Sequence, residues 1–231
     1  MIFGMPNQRS CPKTSTEVHV SIYGSHDRKG KRWELSGNKN DPKFKEALKQ
    51  AVLHPPRERF PRNPFPNVVL GDWDDDIVKV DWDERFLCKV IRFCKIMVKR
   101  FPVLGGGFII LQSSTKLHKI RNDTFTEFAY TYKSKSYHSV FNGVVSKDEL
   151  QSILAWLCLF TKDNNLITWF LLQLIKGSYT LRIGFKGKKK PPTIIYRYGN
   201  QDRQIAKFLA NRKFILGFLE DAKPHEIQKK N

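Results

Sequence analysis

"IVKVDWDERFLCKVIRFCKIMVKRFP", residues 77–102, contains the change of period that decides how this chain folds. Its opening alternates like a strand, so Asp81 and Asp83 point to one face and Trp82 to the other. From Glu84 to Phe101 the period becomes helical. Phe86, Leu87, Val90, Ile91, Cys94, Met97, Val98 and Phe101 form an apolar side, with Lys89, Arg92, Lys95 and Lys99 opposite. Pro102 ends the helix. A strand that closes on two carboxylates therefore runs straight into an amphipathic helix with a basic outer face.

Working outward, "NVVL" just upstream reads as a second strand, joined to the first through the turn "GDWDD". "EVHVSIYG" (17–24) alternates as a strand and is followed by the basic loop "SHDRKGKRWELSGNKN". Asp41 then caps a short helix with Pro42 at its first position and Phe44, Ala47, Leu48 and Leu53 as its apolar side. Residues 55–66 hold five prolines in twelve positions, which excludes a helix interior or a central strand and predicts an extended connector. Downstream of Pro102, "GGGFIILQSS" and "FTEFAYTYKSKSYHSVF" read as strands that the segment "TKLHKIRND" links as a hairpin. Ser146 and Glu149 have capping-box spacing ahead of a helix, and a further helix runs from about Leu166 to Gly177. "YTLRIGF" and "TIIYRY" look like a strand pair around the basic turn "KGKKKPP". A last helix over about 202–221 offers Ile205, Phe208, Leu209, Ile215 and Leu219 to a core.

Strands and helices mix without strict β-α alternation, which predicts an α+β fold: a mixed or antiparallel sheet with helices packed on it. The expected organisation is an N-terminal strand, helix and proline-rich connector over 1–66, packing on a core over 67–231 with its C-terminal helix.

Charge narrows the function. The 231 residues carry 41 Lys and Arg against 22 Asp and Glu, a formal charge of +19 spread along the whole chain. Such a field attracts polyanions, with nucleic acid, DNA or RNA, the expected partner. A membrane is not expected as a partner. The windows LQSILAWLCLF and LITWFLLQLI are each too short to span a bilayer, and the N-terminus lacks a signal-peptide core. A cytoplasmic or nucleoid location is the default expectation. Cys11, Cys88, Cys94 and Cys158 make no CxxC pair, and the last three lie in apolar helical patterns, which predicts buried free thiols and no structural zinc.

Against that charge, seven of the 22 carboxylates fall between Asp72 and Glu84. Asp81 and Asp83, two apart at a strand end, can share a divalent ion, and hard oxygen ligands suit Mg²⁺ or Mn²⁺. Asp72, Asp74, Asp75 and Asp76 look like a solvated turn, with at most one of them near such an ion. In "YKSKSYHSVF", Ser136 and His138 share a strand face between lysines and suit phosphate oxygens. Arg182, flanked by Leu181 and Ile183, projects a guanidinium that needs an anionic partner. Lys186, Lys188, Lys189 and Lys190 make a basic loop suited to a nucleic-acid backbone or to solvent.

The order of these features resembles the archaeo-eukaryotic primase superfamily, especially the primase-polymerases of plasmids and viruses. The resemblance covers roughly residues 67–200 and rests on "VDWD" followed by "SYH". It implies a primase-polymerase-like catalytic core in which Asp81 and Asp83 bind Mg²⁺ or Mn²⁺ and act as catalytic residues. It also implies that Ser136 and His138, with Arg182, hold a nucleoside triphosphate. In that family a third carboxylate comes from a later strand, where this chain has Thr180 and Arg182. The implied activity is metal-dependent nucleotidyl transfer in DNA replication, alongside other replication proteins at a plasmid, viral or nucleoid site. The alternatives are a metal-dependent nuclease and a non-catalytic DNA-binding accessory protein. RNA binding through Tyr130, Tyr132 and Tyr137 lacks a supporting motif, and those rings read better as packing residues.

Overall fold

The computed structural model describes residues 16–24, 32–53, 68–72, 76–84, 86–113, 120–122, 125–127, 136–184 and 191–221. In chain order the N-terminal elements are β1 (Glu17–Gly24), β2 (Arg32–Asn38), α1 (Pro42–Leu53) and β3 (Val68–Asp72). Then come β4 (Ile77–Trp82), α2 (Leu87–Arg100), β5 (Phe108–Gln112), β6 (Ile120–Asn122), β7 (Phe125–Glu127) and β8 (Tyr137–Val144). The remainder is α3 (Lys147–Thr161), α4 (Asn164–Lys176), β9 (Leu181–Arg182), β10 (Thr193–Tyr198) and α5 (Gln204–Asp221). The α+β expectation holds, with every described strand pair antiparallel.

Local chemistry explains the helix boundaries. The Asp41 carboxylate accepts from the Lys43 amide at 2.9 Å and starts α1. Its buried face runs through Phe44, Leu48 and Ala51; Ala47 is exposed, and the Leu53 side chain lies outside the described residues. At α3 the capping box is complete: the Glu149 amide donates to Ser146 Oγ at 3.2 Å, and the Ser146 amide to Glu149 Oε2 at 2.7 Å. Helix α4 begins two residues before Leu166 because Asp163 Oδ1 accepts from the Asn165 and Leu166 amides. It ends at Gly177, whose φ of 74° is the left-handed turn that glycine takes without strain.

The strands form two four-stranded sheets, β2-β1-β3-β9 and β10-β5-β8-β4, and a small β6-β7 pair. The hairpins expected across "GDWDD" and "KGKKKPP" are not made. β3 pairs with β1 and β9, while β4 pairs with β8; β10 pairs with β5, not β9. The segment linking β9 to β10 and the connector over 55–66 lie outside the described residues. β5 and β8 pair antiparallel as expected, and β4 and β5, both antiparallel to β8, run parallel with β8 between them. Helix α2 is the crossover between those parallel strands. By the same reasoning β8 and β10 are parallel on either side of β5. The two crossovers interleave. Because β1 and β2 share a sheet with β3 and β9, the N-terminal strands are built into the same architecture as the later segments.

Strands β4, β5 and β8 of the second sheet are buried on both faces. Val78, Val80, Trp82, Phe108, Ile110, Tyr137 and Phe141 pack with Val90, Cys94 and Met97 of α2 and with the inner side chains of α3 and α4. Ile77, Ile109, Leu111 and Val140 pack the other way, with Val18 and Val20 of β1, Phe44 and Leu48 of α1, and Ile205, Phe208 and Ile215 of α5. Fully burying one such side chain is worth about 1.5–3 kcal/mol, so the two layers hold the sheet between them. Asn142 ties α5 to β8: its Oδ1 accepts from the Arg203 and Ile205 amides, and its Nδ2 donates to Asp202 at 2.9 Å. That last bond holds the Asp202 carboxyl below its usual pKa.

The two apolar windows are α3 and α4, whose outer residues Leu159, Leu171, Leu172 and Ile175 are exposed. Among the described residues no helix is long and apolar enough to cross a membrane. Cys94 and Cys158 are buried as expected, and burial pushes their thiols up to about 12 and about 11. Cys88 corrects the reading of the sequence. It is exposed, because at helical spacing it shares the outer face of α2 with Arg92, Lys95 and Lys99.

Two outcomes follow from this packing. A Cβ on Gly143 would lie 1.7 Å from the Val103 carbonyl oxygen. Gly143→Ala is expected to lower unfolding stability by about 2 kcal/mol or more in a denaturant titration, and an unchanged midpoint would contradict that close approach. With a thiol reagent at pH 8, Cys88 should label in the folded protein while Cys94 and Cys158 label only on unfolding; Cys88→Ser should remove its share of the fast reaction.

Candidate functional site

The face of the second sheet turned toward α5 carries most of the residues singled out above. Ile77 on β4, Val140 on β8 and Ile109 and Leu111 on β5 pack in that direction. Residues at even offsets from them share the face: Lys79 and Asp81 from β4 and His138 from β8, with Asp83 just past β4, Ser136 just before β8 and Ser113 just after β5 continuing the same offsets. Their arrangement follows from pairing. Asp81 and His138 are direct partners in the β4–β8 ladder, and His138 Nε2 lies 3.4 Å from Asp81 Oδ1.

The two ends of that contact sit in different media. The His138 side chain is 4% exposed and that of Asp81 41%, so an imidazole inside the protein meets a carboxylate open to solvent. With Nε2 turned to Asp81, His138 Nδ1 is buried and has no hydrogen-bond partner among the described residues. Such an atom carries a desolvation cost until a donor reaches it. Lys79, two residues before Asp81, is fully buried.

Beside this pair, Ser136 and Ser113 join the starts and ends of neighbouring strands. Their hydroxyls are 2.8 Å apart, and the Ser113 amide donates to the Ser136 carbonyl at 3.1 Å. Arg182 arrives from the other sheet on β9. Its guanidinium donates to the Ser113 carbonyl and, at 2.7 Å, to that of Gly184. These two backbone carbonyls match the fork of guanidinium donors. Two sets of contacts, Asp81 with His138 and Ser136 with Ser113 and Arg182, thus lie side by side, joined by the backbone between Ser136 and His138.

Asp83 lies one residue past β4 and is exposed. Lys186, Lys188, Lys189 and Lys190 lie outside the described residues, as do Asp74, Asp75, Tyr130 and Tyr132. Asp76 is unsuited to join Asp81: it precedes β4, roughly 16 Å along the strand from Asp81. It serves α5 instead, bound by Lys207 Nζ at 3.2 Å and Gln204 Nε2 at 3.0 Å. Trp82 faces away from the site as expected, donating to Ser139 Oγ at 2.9 Å and stacking on Phe93. Tyr137 is a packing residue in the helix-side core, and burial raises its phenol above its ordinary pKa. Ser113 and Lys79 were not singled out from sequence. The alternation that paired Asp81 with Asp83 also puts Lys79 on their face, so that signal was present; for Ser113 the sequence offered only a strand end.

Among the described residues no three His, Cys, Asp or Glu side chains form a group able to hold a metal ion. The donors that do meet are Asp81 and His138, with Asp83 close in sequence. Mg²⁺ is commonly held by one or two carboxylates together with waters and substrate phosphates, and this donor set fits that mode but not an all-protein cage. No protein-family model, curated protein or solved structure matches the chain.

Removing the Arg182 side chain would leave the carbonyls of Ser113 and Gly184 short of a donor in a buried place. Arg182→Ala is expected to cost about 2 kcal/mol of unfolding stability, with Arg182→Lys restoring part of it. A loss under about 0.5 kcal/mol in thermal and denaturant melts would show that this link between the sheets is not structural.

Proposed function

We propose that this chain is a replication protein of the primase-polymerase kind, binding nucleic acid and a nucleoside triphosphate for metal-dependent nucleotidyl transfer. One observation carries the reading: Asp81, the first carboxylate of "VDWD", and the imidazole of "SYH" lie 3.4 Å apart, although they stand 57 positions apart in sequence. The serine of the same "SYH" lies on the same face, linked through Ser113 to Arg182. The net charge of +19 supports a polyanionic template, DNA or RNA.

In this reading Asp81 and Asp83 hold Mg²⁺ or Mn²⁺. The ion, when bound, makes the primer hydroxyl a better nucleophile and offsets charge on the α-phosphate. The chain's own groups position the substrate. Ser136 and His138 orient the triphosphate oxygens, and Arg182 holds the Ser113–Ser136 strand ends in register. The primer 3′-oxygen forms its bond to the α-phosphorus as the bond to the bridging oxygen breaks and pyrophosphate leaves.

Arg182 also favours a second reading, a DNA-binding accessory protein without catalysis. It occupies the strand from which the resembled family draws its third carboxylate, and its guanidinium is engaged with backbone.

Triphosphate binding and primer extension with Mg²⁺ and Mn²⁺ separate these. The expected result is metal-dependent extension that falls to background in Asp81→Ala/Asp83→Ala and drops sharply in His138→Ala. Absence of both extension and metal-dependent triphosphate binding, with nucleic-acid affinity unchanged in the double variant, would leave the accessory reading. Primer degradation in place of extension would make the protein a nuclease.

A further inference from the structure

Helix α2 contains no acidic residue, and its outer face presents Lys89, Arg92, Lys95, Lys99 and Arg100, all exposed. Lys89 is occupied by Glu84 at 2.6 Å, which raises its pKa. Among the described residues Arg92, Lys95, Lys99 and Arg100 are in no salt bridge. From Arg92 to Arg100 these four cations extend roughly 12 Å along the axis. A helix this basic without intrahelical acids repels itself, an arrangement that an external anion relieves.

Aromatic rings flank the stripe on both sides. Lys95 Nζ lies 5.2 Å from the centre of the Tyr198 ring, on the edge strand β10, and Arg100 lies 6.0 Å from that of Trp156 on α3. Trp156 stacks on Phe160 with centroids 4.8 Å apart. Tyr198 is 38% exposed and Phe160 46%, so each ring is braced by its neighbours yet offers surface to solvent. Cations in a row with exposed rings beside them are what an unpaired strand requires, phosphates on the former and bases against the latter. A duplex could use the cations but hides its bases.

We infer that the outer face of α2, with Tyr198 on one flank and Phe160 on the other, is a track for single-stranded nucleic acid. Arg92, Lys95, Lys99 and Arg100 contact the phosphates, and a base stacks at each ring as the cation beside it moves to the backbone. The track covers the opposite side of the sheet from the Asp81–His138 pair. Only residues 83–86 separate the end of β4 from the start of α2, so its N-terminal end adjoins the strand that carries Asp81. The inference rests on the nucleic-acid half of the reading above and not on its catalysis.

Fluorescence anisotropy with labelled oligo-dT and a labelled duplex, across a range of salt, tests it on the full chain. Arg92→Glu/Lys95→Glu/Lys99→Glu should weaken oligo-dT binding by about 100-fold or more. The milder Arg92→Gln/Lys95→Gln/Lys99→Gln, used if charge reversal perturbs the circular dichroism spectrum, should lower the slope of log K against log salt by about 2. Tyr198→Leu should weaken oligo-dT binding by roughly 10-fold and leave duplex binding unchanged. Wild-type binding with unaltered affinity and slope in the glutamine variant would overturn the track and leave the nucleic-acid reading standing. An equal loss on duplex and single strand in Tyr198→Leu would overturn its single-strand character. No binding of either probe by the wild type would overturn both.

Discussion

Strands β4 and β8 are packed on both faces, and that double burial is the constraint from which the remaining arrangement follows. A strand with one wet face can tolerate a slip in register; here a shift of one residue would drive Lys79 and Asp81 into the layer that holds Val90, Cys94 and Met97. The cost of burying charge against apolar side chains forbids it. The faces being set in this way, Asp81 and His138 share one of them, where the ladder pairs them directly, and Trp82 turns to Phe93 and Ser139 on the other. The contact between carboxylate and imidazole is thus a by-product of how hydrophobic residues are distributed over the two faces.

The same face shows how polar groups are accommodated between layers. Asn142 uses its carbonyl to cap the start of α5 and its amide to hold Asp202, so a side chain from the middle of a sheet does the work usually done by a residue next to the helix. Asp76 binds Gln204 in the same first turn and Lys207 one turn further on. Arg182 links the two sheets through carbonyls. At one end of the face, then, the polar groups satisfy one another and fix α5. At the other end, a part-exposed carboxylate meets a buried imidazole whose Nδ1 has no hydrogen-bond partner among the described residues, and the proposed chemistry is assigned there.

Charge is divided in space as well. The carboxylate-bearing strand end and the basic stripe of α2 are neighbours in sequence but lie on opposite sides of one sheet, since the chain passes from strand to helix within a few residues. Placing cations on the helix and acids at the strand end keeps each set from neutralising the other, Lys89 and Glu84 excepted. A basic surface can then gather polyanions without occupying the carboxylates.

Much of the local structure was legible in the residues. The Asp41–Pro42 start of α1, the Ser146–Glu149 box, the Gly177 stop and the opposite facing of Asp81 and Trp82 follow from hydrogen bonds and side-chain periods that act within a few residues. Those same rules identified the α+β class and most candidate residues of the site. Partner choice between strands was not legible, because ladder hydrogen bonds are made by backbone that is the same in every residue. Neighbouring strands were therefore expected to pair as hairpins, whereas β3 and β4 separate into different sheets and β9 and β10 do likewise. Cys88 was a misreading of a local signal, since helical spacing alone puts it with Arg92, Lys95 and Lys99 on the outer face of α2. What surrounds a side chain depends on segments distant in sequence, brought together by the burial of two apolar layers. The sequence determined each strand's faces and each helix's ends; the tertiary packing alone decided which faces met.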